Sequence, residues 1–176
     1  TIKEGTTIPE VAESFAEILN ISADEVIKQW DDQEYLQSLI EEYWFLDESI
    51  LDKDILYPLE GYLYPETYYI TEQEPDLKSM TKLALDMMDE RLSEYKDDIE
   101  KLGWTPHQFL TFASIVERES LFDEDRPKIA GVFINRLNKD MLLQSDITVN
   151  YAWQRTGVDV SVSHTQIDSR YNTYKY

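Results

Sequence analysis

Cysteine is missing from this 176-residue chain. That excludes disulfides and thiolate-bound metal, and it removes redox compartment as a readable property. Histidine is nearly missing too. His107 and His164 are too few and too distant in sequence to build a zinc site by themselves. No twelve-residue run places oxygen ligands at the spacing of a calcium loop, so neither a metal nor a cofactor is expected. Basic residues are scarce: 16 Lys and Arg stand against 36 Asp and Glu, a formal net charge of −20. A phosphate backbone needs a basic footprint, so nucleic acid is excluded as a partner, and so is direct electrostatic contact with anionic lipid. No stretch nears the ~20 consecutive apolar residues of a membrane-spanning helix.

What is present is a foldable chain. The hydrophobic fraction is 42%, with 12 Tyr, 6 Phe and 4 Trp, enough for a core and against disorder. Tyr and Trp suit sugar-ring stacking and half-buried packing alike.

Helix signals recur along the sequence. Ile2 reads as a short strand and Gly5 as a turn. Thr7 caps a helix carrying Val11, Phe15, Ile18 and Leu19 on one face, ended by Asn20. Ser22 and Glu25 have capping-box spacing before a second helix with Val26, Ile27 and Trp30. A third helical run covers about residues 32–43. The segment from Leu56 to Ile70 holds two prolines, a glycine and five tyrosines, and reads as irregular chain entering a strand at Thr67–Ile70. A boundary is expected near residue 60. After a polar loop at residues 72–76, Leu77, Met80, Leu83, Ala84, Met87, Met88 and Leu92 keep helical spacing in a region that runs to Gly103. Thr105-Pro106 starts the next helix, and Asp123 to Pro127 separates it from a further one beginning at Lys128. From Leu142 to Tyr151 the chain reads as loop.

The helix after Thr105 carries Phe109, Leu110, Phe112, Ala113, Ile115 and Val116, then Glu117-Arg118-Glu119-Ser120. At ~100° per residue the six apolar residues make one broad face. Arg118 lies opposite it, Glu119 about 70° from its centre and Glu117 about 90° on the other flank. Carboxyls at the edge of an apolar stripe suit general acid chemistry, because desolvation disfavours the charged form. From this pattern alone structural ion pairing is the commoner role, since ion pairs are frequent at helix edges.

Five segments, read together, carry more. Ala113-Ser114-Ile115-Val116-Glu117-Arg118-Glu119-Ser120 resembles the catalytic helix of the MltG (YceG-like) family of endolytic murein transglycosylases. Leu59 to Tyr68 resembles that family's L-E-G-x-x-x-P-x-T-Y, and Gly131 to Leu137 its V-F-x-N-R-L. Leu143 to Val149 resembles its L-Q-S-D-P-T-V, with Ile147 in place of proline, and Tyr171 to Tyr174 its Y-N-T-Y. The resemblance implies cleavage of the β-1,4 bond between N-acetylmuramic acid and N-acetylglucosamine without water, leaving a 1,6-anhydro end, with one glutamate serving as acid and then base.

Transglycosylases of other families carry that glutamate in a Glu-Ser pair at a helix end. This favours Glu119 as the acid/base, with Glu117 the second choice for that role and, failing it, an orienting group or a partner of Arg136. Gln144, Asp146, Asn135, Asn172 and Tyr174 are candidate sugar-binding residues, with loop capping the competing role. Glu60 is a candidate cleft residue, with a salt bridge or turn as its alternative.

The resemblance also implies a LysM-like subdomain over residues 1–60 and a catalytic subdomain over 61–176 whose family pattern continues beyond Tyr176. It implies peptidoglycan strands as substrate, cell-wall synthesis proteins as partners, and an extracytoplasmic location with a membrane anchor upstream. The expected fold class is α+β, helix-rich with a small sheet. The competing functions are a non-catalytic wall-binding or scaffold module, a water-using glycosidase with a carboxylate pair, and a purely structural domain. Their products differ: anhydro ends, no cleavage, reducing ends, and no saccharide binding at all.

Overall fold

The computed structural model describes residues 1–71, 74–155 and 160–176. Glu72 and Gln73 of the expected polar loop lie outside the described residues. Among the described residues eight α-helices follow in order: α1 Ile8–Leu19, α2 Ala23–Trp30, α3 Gln33–Glu42, α4 Leu77–Ser93, α5 Lys96–Leu102, α6 Pro106–Glu119, α7 Arg126–Leu137 and α8 Asp146–Ala152. Short 3-10 turns occur at Glu48–Leu51, Asp123–Asp125 and His164–Gln166. None of these helices is long and apolar enough to cross a membrane.

Local chemistry sets most helix ends. Ser22 Oγ accepts from Glu25 N–H at 3.2 Å while the Glu25 carboxylate accepts from Ser22 N–H at 2.8 Å, a reciprocal cap for α2. Thr105 and Gln108 do the same for α6, at 3.2 and 2.9 Å. Asn20 ends α1 at φ 54°, and Gly103 ends α5 at φ 69°, a left-handed conformation that glycine adopts freely. The expected single helical region from Leu77 to Gly103 is two helices, because Tyr95 leaves helical geometry at ψ 4°.

The chain forms two compact units, Thr1–Thr111 and Phe112–Tyr176. The first has a continuous apolar core in which Trp30, Leu36, Phe45, Ile50, Leu59, Tyr62 and Leu85 are fully buried. Phe15 meets Trp30 edge-on at 5.4 Å, and Phe45 stacks on Tyr62 at 6.0 Å. Polar handles of the aromatic residues reach α4. Trp30 Nε1 donates to Thr81 at 2.9 Å, Tyr43 OH to Asp86 at 2.6 Å and Trp44 Nε1 to Asp89 at 2.7 Å. Residue 60, where a boundary was expected, falls inside this unit.

The helix-rich expectation holds, but the small sheet is absent among the described residues. Ile2 N–H donates to Glu66 O at 3.0 Å, one bond where a ladder needs several. Nearby donors are diverted. Thr67 N–H goes to the Glu66 side chain at 2.7 Å, Tyr64 N–H to Ala84 O of α4 at 3.4 Å, and Pro65 has none to offer.

The second unit is built differently. Its buried residues are Val116, Phe133 and Val149 together with Ser145, Thr148, Asn150 and Asn172. Phe112 on α6 meets Phe133 on α7 edge-on at 6.4 Å. The segment expected to be loop at residues 142–151 contains α8. Ile147, Thr148 and Val149 are β-branched and give a weak local helix signal, and burial of Thr148, Val149 and Asn150 supplies what local propensity does not.

Candidate active site

The polar interior of the second unit converges on the end of α6. Glu117 and Arg118 are exposed there, whereas Glu119 and Ser120 are half-buried. Ser120 closes the helix: its N–H and its hydroxyl both return to Val116 O, at 3.1 and 2.6 Å. The hydroxyl that meets Glu119 comes from elsewhere. Ser145 Oγ donates to Glu119 Oε1 at 2.5 Å across 26 residues of sequence.

Ser145 is itself held on every side. It is 2% exposed. Its N–H donates to Thr173 Oγ1 at 2.9 Å, and its carbonyl accepts from Thr148 Oγ1 at 2.9 Å. The two threonine hydroxyls meet each other at 2.9 Å. Gln144, in the left-handed region at φ 53°, donates its N–H to Thr173 O at 2.9 Å. The L-Q-S-D and Y-N-T-Y segments are thus joined backbone to side chain.

Asp146 and Tyr174 form the adjoining pair. Tyr174 OH donates to Asp146 Oδ1 at 2.6 Å. That bond is the chief reason the phenol is pushed up to about 12; burial and the charges of Asp146 and Glu119 add to it, and Arg136 opposes it. Tyr174 therefore keeps its proton and donates a hydrogen bond to Asp146, close enough to Glu119 for that carboxylate's charge to be felt. Arg136 does not pair with Glu117; its guanidinium donates to Leu143 O.

The other candidates are placed as follows. Asn172 is fully buried and serves the loop: its Nδ2 donates to Thr165 O at 2.9 Å and Ile167 O at 2.7 Å, and its Oδ1 accepts from Tyr174 N–H at 3.1 Å. Asn135 and the Gln144 side chain are exposed. Glu60 belongs to the first unit, where its carboxylate receives Ile8 N–H at 3.2 Å at the start of α1. Thus Glu119, Asp146 and Tyr174 share one neighbourhood, with Gln144 and Asn172 contributing backbone and scaffold to it. Sequence reasoning missed Ser145 and Thr173. Both sit inside the resembling motifs, but residues 142–151 read as loop, and nothing local shows that Ser145 reaches Glu119 across 26 residues of sequence.

A half-buried carboxyl with one oxygen held by a fixed hydroxyl leaves its second oxygen available for proton transfer. The tyrosine–aspartate pair and the arginine beside it offer donors and acceptors for a polyhydroxylated ligand.

Comparison with known proteins bears on what that ligand is. The model of the YceG-like family matches residues 1–176. An endolytic murein transglycosylase of Bacillus subtilis (strain 168) is 36% identical over 176 residues, covering 99% of this chain and 49% of that protein. One from Streptococcus pneumoniae serotype 2 is 38% identical over 187 residues, covering 99% of this chain and 34% of that protein. The chain therefore spans half or less of the curated relatives it matches. The crystal structure of a yceG-like protein from Listeria monocytogenes superposes with a TM-score of 0.94 at 36% identity, covering 99% of this chain and 58% of that one. The sequence motifs, the fold and the full-length family match agree, and the chain belongs to the YceG-like family.

Proposed function

We propose that this chain carries the acid/base centre of an endolytic lytic transglycosylase that cuts peptidoglycan glycan strands, with Glu119 as the catalytic residue. The observation that carries this reading is the half-buried Glu119 carboxylate held at 2.5 Å by Ser145, in a chain whose relatives are named endolytic murein transglycosylases. Glu119 gives its proton to the glycosidic oxygen as the bond from C1 of N-acetylmuramic acid breaks, releasing the 4-hydroxyl of N-acetylglucosamine. The acetamido group of the muramyl sugar stabilises C1. The C6 hydroxyl of the same sugar then closes on C1, and its proton passes to Glu119. No water is consumed, and the carboxyl ends as it began. A second carboxylate is not needed for this route, unlike the usual two-carboxylate glycosidases. Asp146 is engaged with Tyr174, which suits a binding role.

The same reading places the chain outside the cytoplasmic membrane, with an anchor elsewhere in the protein and cell-wall synthesis proteins as partners. For the first 60 residues it keeps a LysM-like role in holding glycan. Support for that is the α1–α2 pair and the backbone bond from Ile2 N–H to Glu66 O, just beyond that segment.

The test is digestion of purified peptidoglycan by the protein and by its Glu119→Gln and Glu117→Gln variants, read by mass spectrometry. Anhydro-ended fragments are expected from the parent and from Glu117→Gln. Glu119→Gln is expected to lose at least about 1,000-fold in rate, the scale of removing a general acid/base. Reducing ends would identify a hydrolase. Intact strands that still bind would identify a wall-binding module.

A further inference from the structure

We infer that Ser145 is a positioning residue that fixes which oxygen of Glu119 carries the transferable proton. This rests on the reading of Glu119 as the acid/base.

Ser145 occupies the residue before α8, where a serine hydroxyl ordinarily turns back to accept from an N–H in the first turn of its own helix. Here no such bond forms. The hydroxyl instead donates to Glu119 Oε1 at 2.5 Å. The rest of the residue cannot swing away from that contact. Thr173 Oγ1 takes its N–H, Thr148 Oγ1 donates to its carbonyl, and the side chain is buried. The contact with Ser145 occupies Oε1 and fixes how the carboxyl is turned, so Oε2 is the oxygen left open to a ligand. With the carboxyl held this way, Oε2 is the position from which a proton is given and at which one is received. The single carboxylate then gives and takes its proton at one fixed position. A reaction using the same group first as acid and then as base requires that, because a carboxyl free to rotate would present the wrong oxygen for part of the cycle.

Thr173 has a defined part in this arrangement. Its hydroxyl meets both Ser145 N–H and Thr148 Oγ1, so it holds the serine rather than the glutamate. Its effect on the reaction should therefore be smaller than that of Ser145 and of the same kind.

The experiment is steady-state kinetics on soluble glycan strands with the parent protein and the Ser145→Ala, Ser145→Thr, Thr173→Val and Glu119→Gln variants, each normalised to folded protein by circular dichroism. Ser145→Ala should lower kcat by about 10- to 100-fold with KM within about twofold, the scale of one hydrogen bond to a charged group. Ser145→Thr, which keeps the hydroxyl, should recover most of kcat. Thr173→Val should lower kcat by less than Ser145→Ala. An inactive Glu119→Gln beside a Ser145→Ala of parental kcat overturns this inference and leaves the acid/base assignment standing. An active Glu119→Gln overturns the assignment itself. If Ser145→Ala does not fold, Thr173→Val decides: an unchanged kcat there also overturns the inference.

Discussion

Glu117 and Glu119 stand two residues apart at the end of α6 and finish in different surroundings. Glu117 is exposed, while Glu119 is half-buried against a fixed hydroxyl. Helical spacing put both at the edge of the apolar face, and in the structure a contact across 26 residues of sequence reaches Glu119. Asn172 makes the same point from the other side. As a motif residue it is a candidate sugar ligand with loop capping as the competing role, and in the structure its amide is spent on two loop carbonyls and one backbone N–H. Asn172→Ala should therefore cost about 2–4 kcal/mol in folding stability, because buried polar groups are left without partners. Urea denaturation checks this. A loss under about 0.5 kcal/mol would mean that the loop does not depend on it.

At the scale of elements, α8 is the helix the chain does not announce. Its residues Ile147, Thr148 and Val149 are β-branched, and the serine that would cap it is turned to Glu119. A missing side-chain cap costs a helix about 1 kcal/mol, so α8 depends on burial, above all of Val149, which is fully enclosed. Val149→Ala should then lose about 2 kcal/mol, for two methyl groups and part of the space they leave. Ile147→Pro is expected to be mild, within about 1 kcal/mol. Ile147 is the second helical residue, where the N–H has no intrahelical acceptor, and the chain already places Pro9 and Pro127 at that position in α1 and α7. Thermal melting of both variants is the measurement, and a larger loss from Ile147→Pro than from Val149→Ala would refute this account of α8.

At the scale of the whole molecule, an acidic surface encloses several phenols that resist ionisation. Burial raises Tyr43 and Tyr62 far above the ordinary range, burial pushes Tyr68 up to about 12, and the bond to Asp146 pushes Tyr174 to about 12. In the unfolded chain these groups ionise near 10, so between pH 10 and 12 the folded state holds protons that the unfolded state has released. Their contribution is complete below pH 10 and falls as pH rises, that of Tyr68 and Tyr174 being lost through about 12. Denaturant midpoints should therefore fall steadily from pH 10 upward, while the phenolate absorbance of the folded protein lags behind that of the urea-unfolded chain. Coincident phenolate curves for the two states would contradict the burial pattern. His107 works in the opposite direction. Burial lowers it, and Tyr62 OH lies 2.7 Å from its Nδ1, so its neutral form belongs to the fold and acid below about pH 6.5 weakens that site.

The sequence by itself determined what depends on neighbours three or four residues apart. Ser22 with Glu25, Thr105 with Gln108, Asn20 and Gly103 mark helix ends where they were expected, since caps and left-handed stops are local interactions. Its motifs, in order, also placed the chain in its family. Tertiary structure decided everything that depends on distant partners. It turned the Ser145 hydroxyl to Glu119, spent Asn172 on loop carbonyls, formed α8 by burying Val149, and left Thr67–Ile70 without a ladder by sending nearby N–H groups elsewhere. A hydrogen-bond donor or a buried methyl group chooses among partners that the fold brings within reach, and residues 145 and 119 acquire their meaning only when α6 and the start of α8 meet.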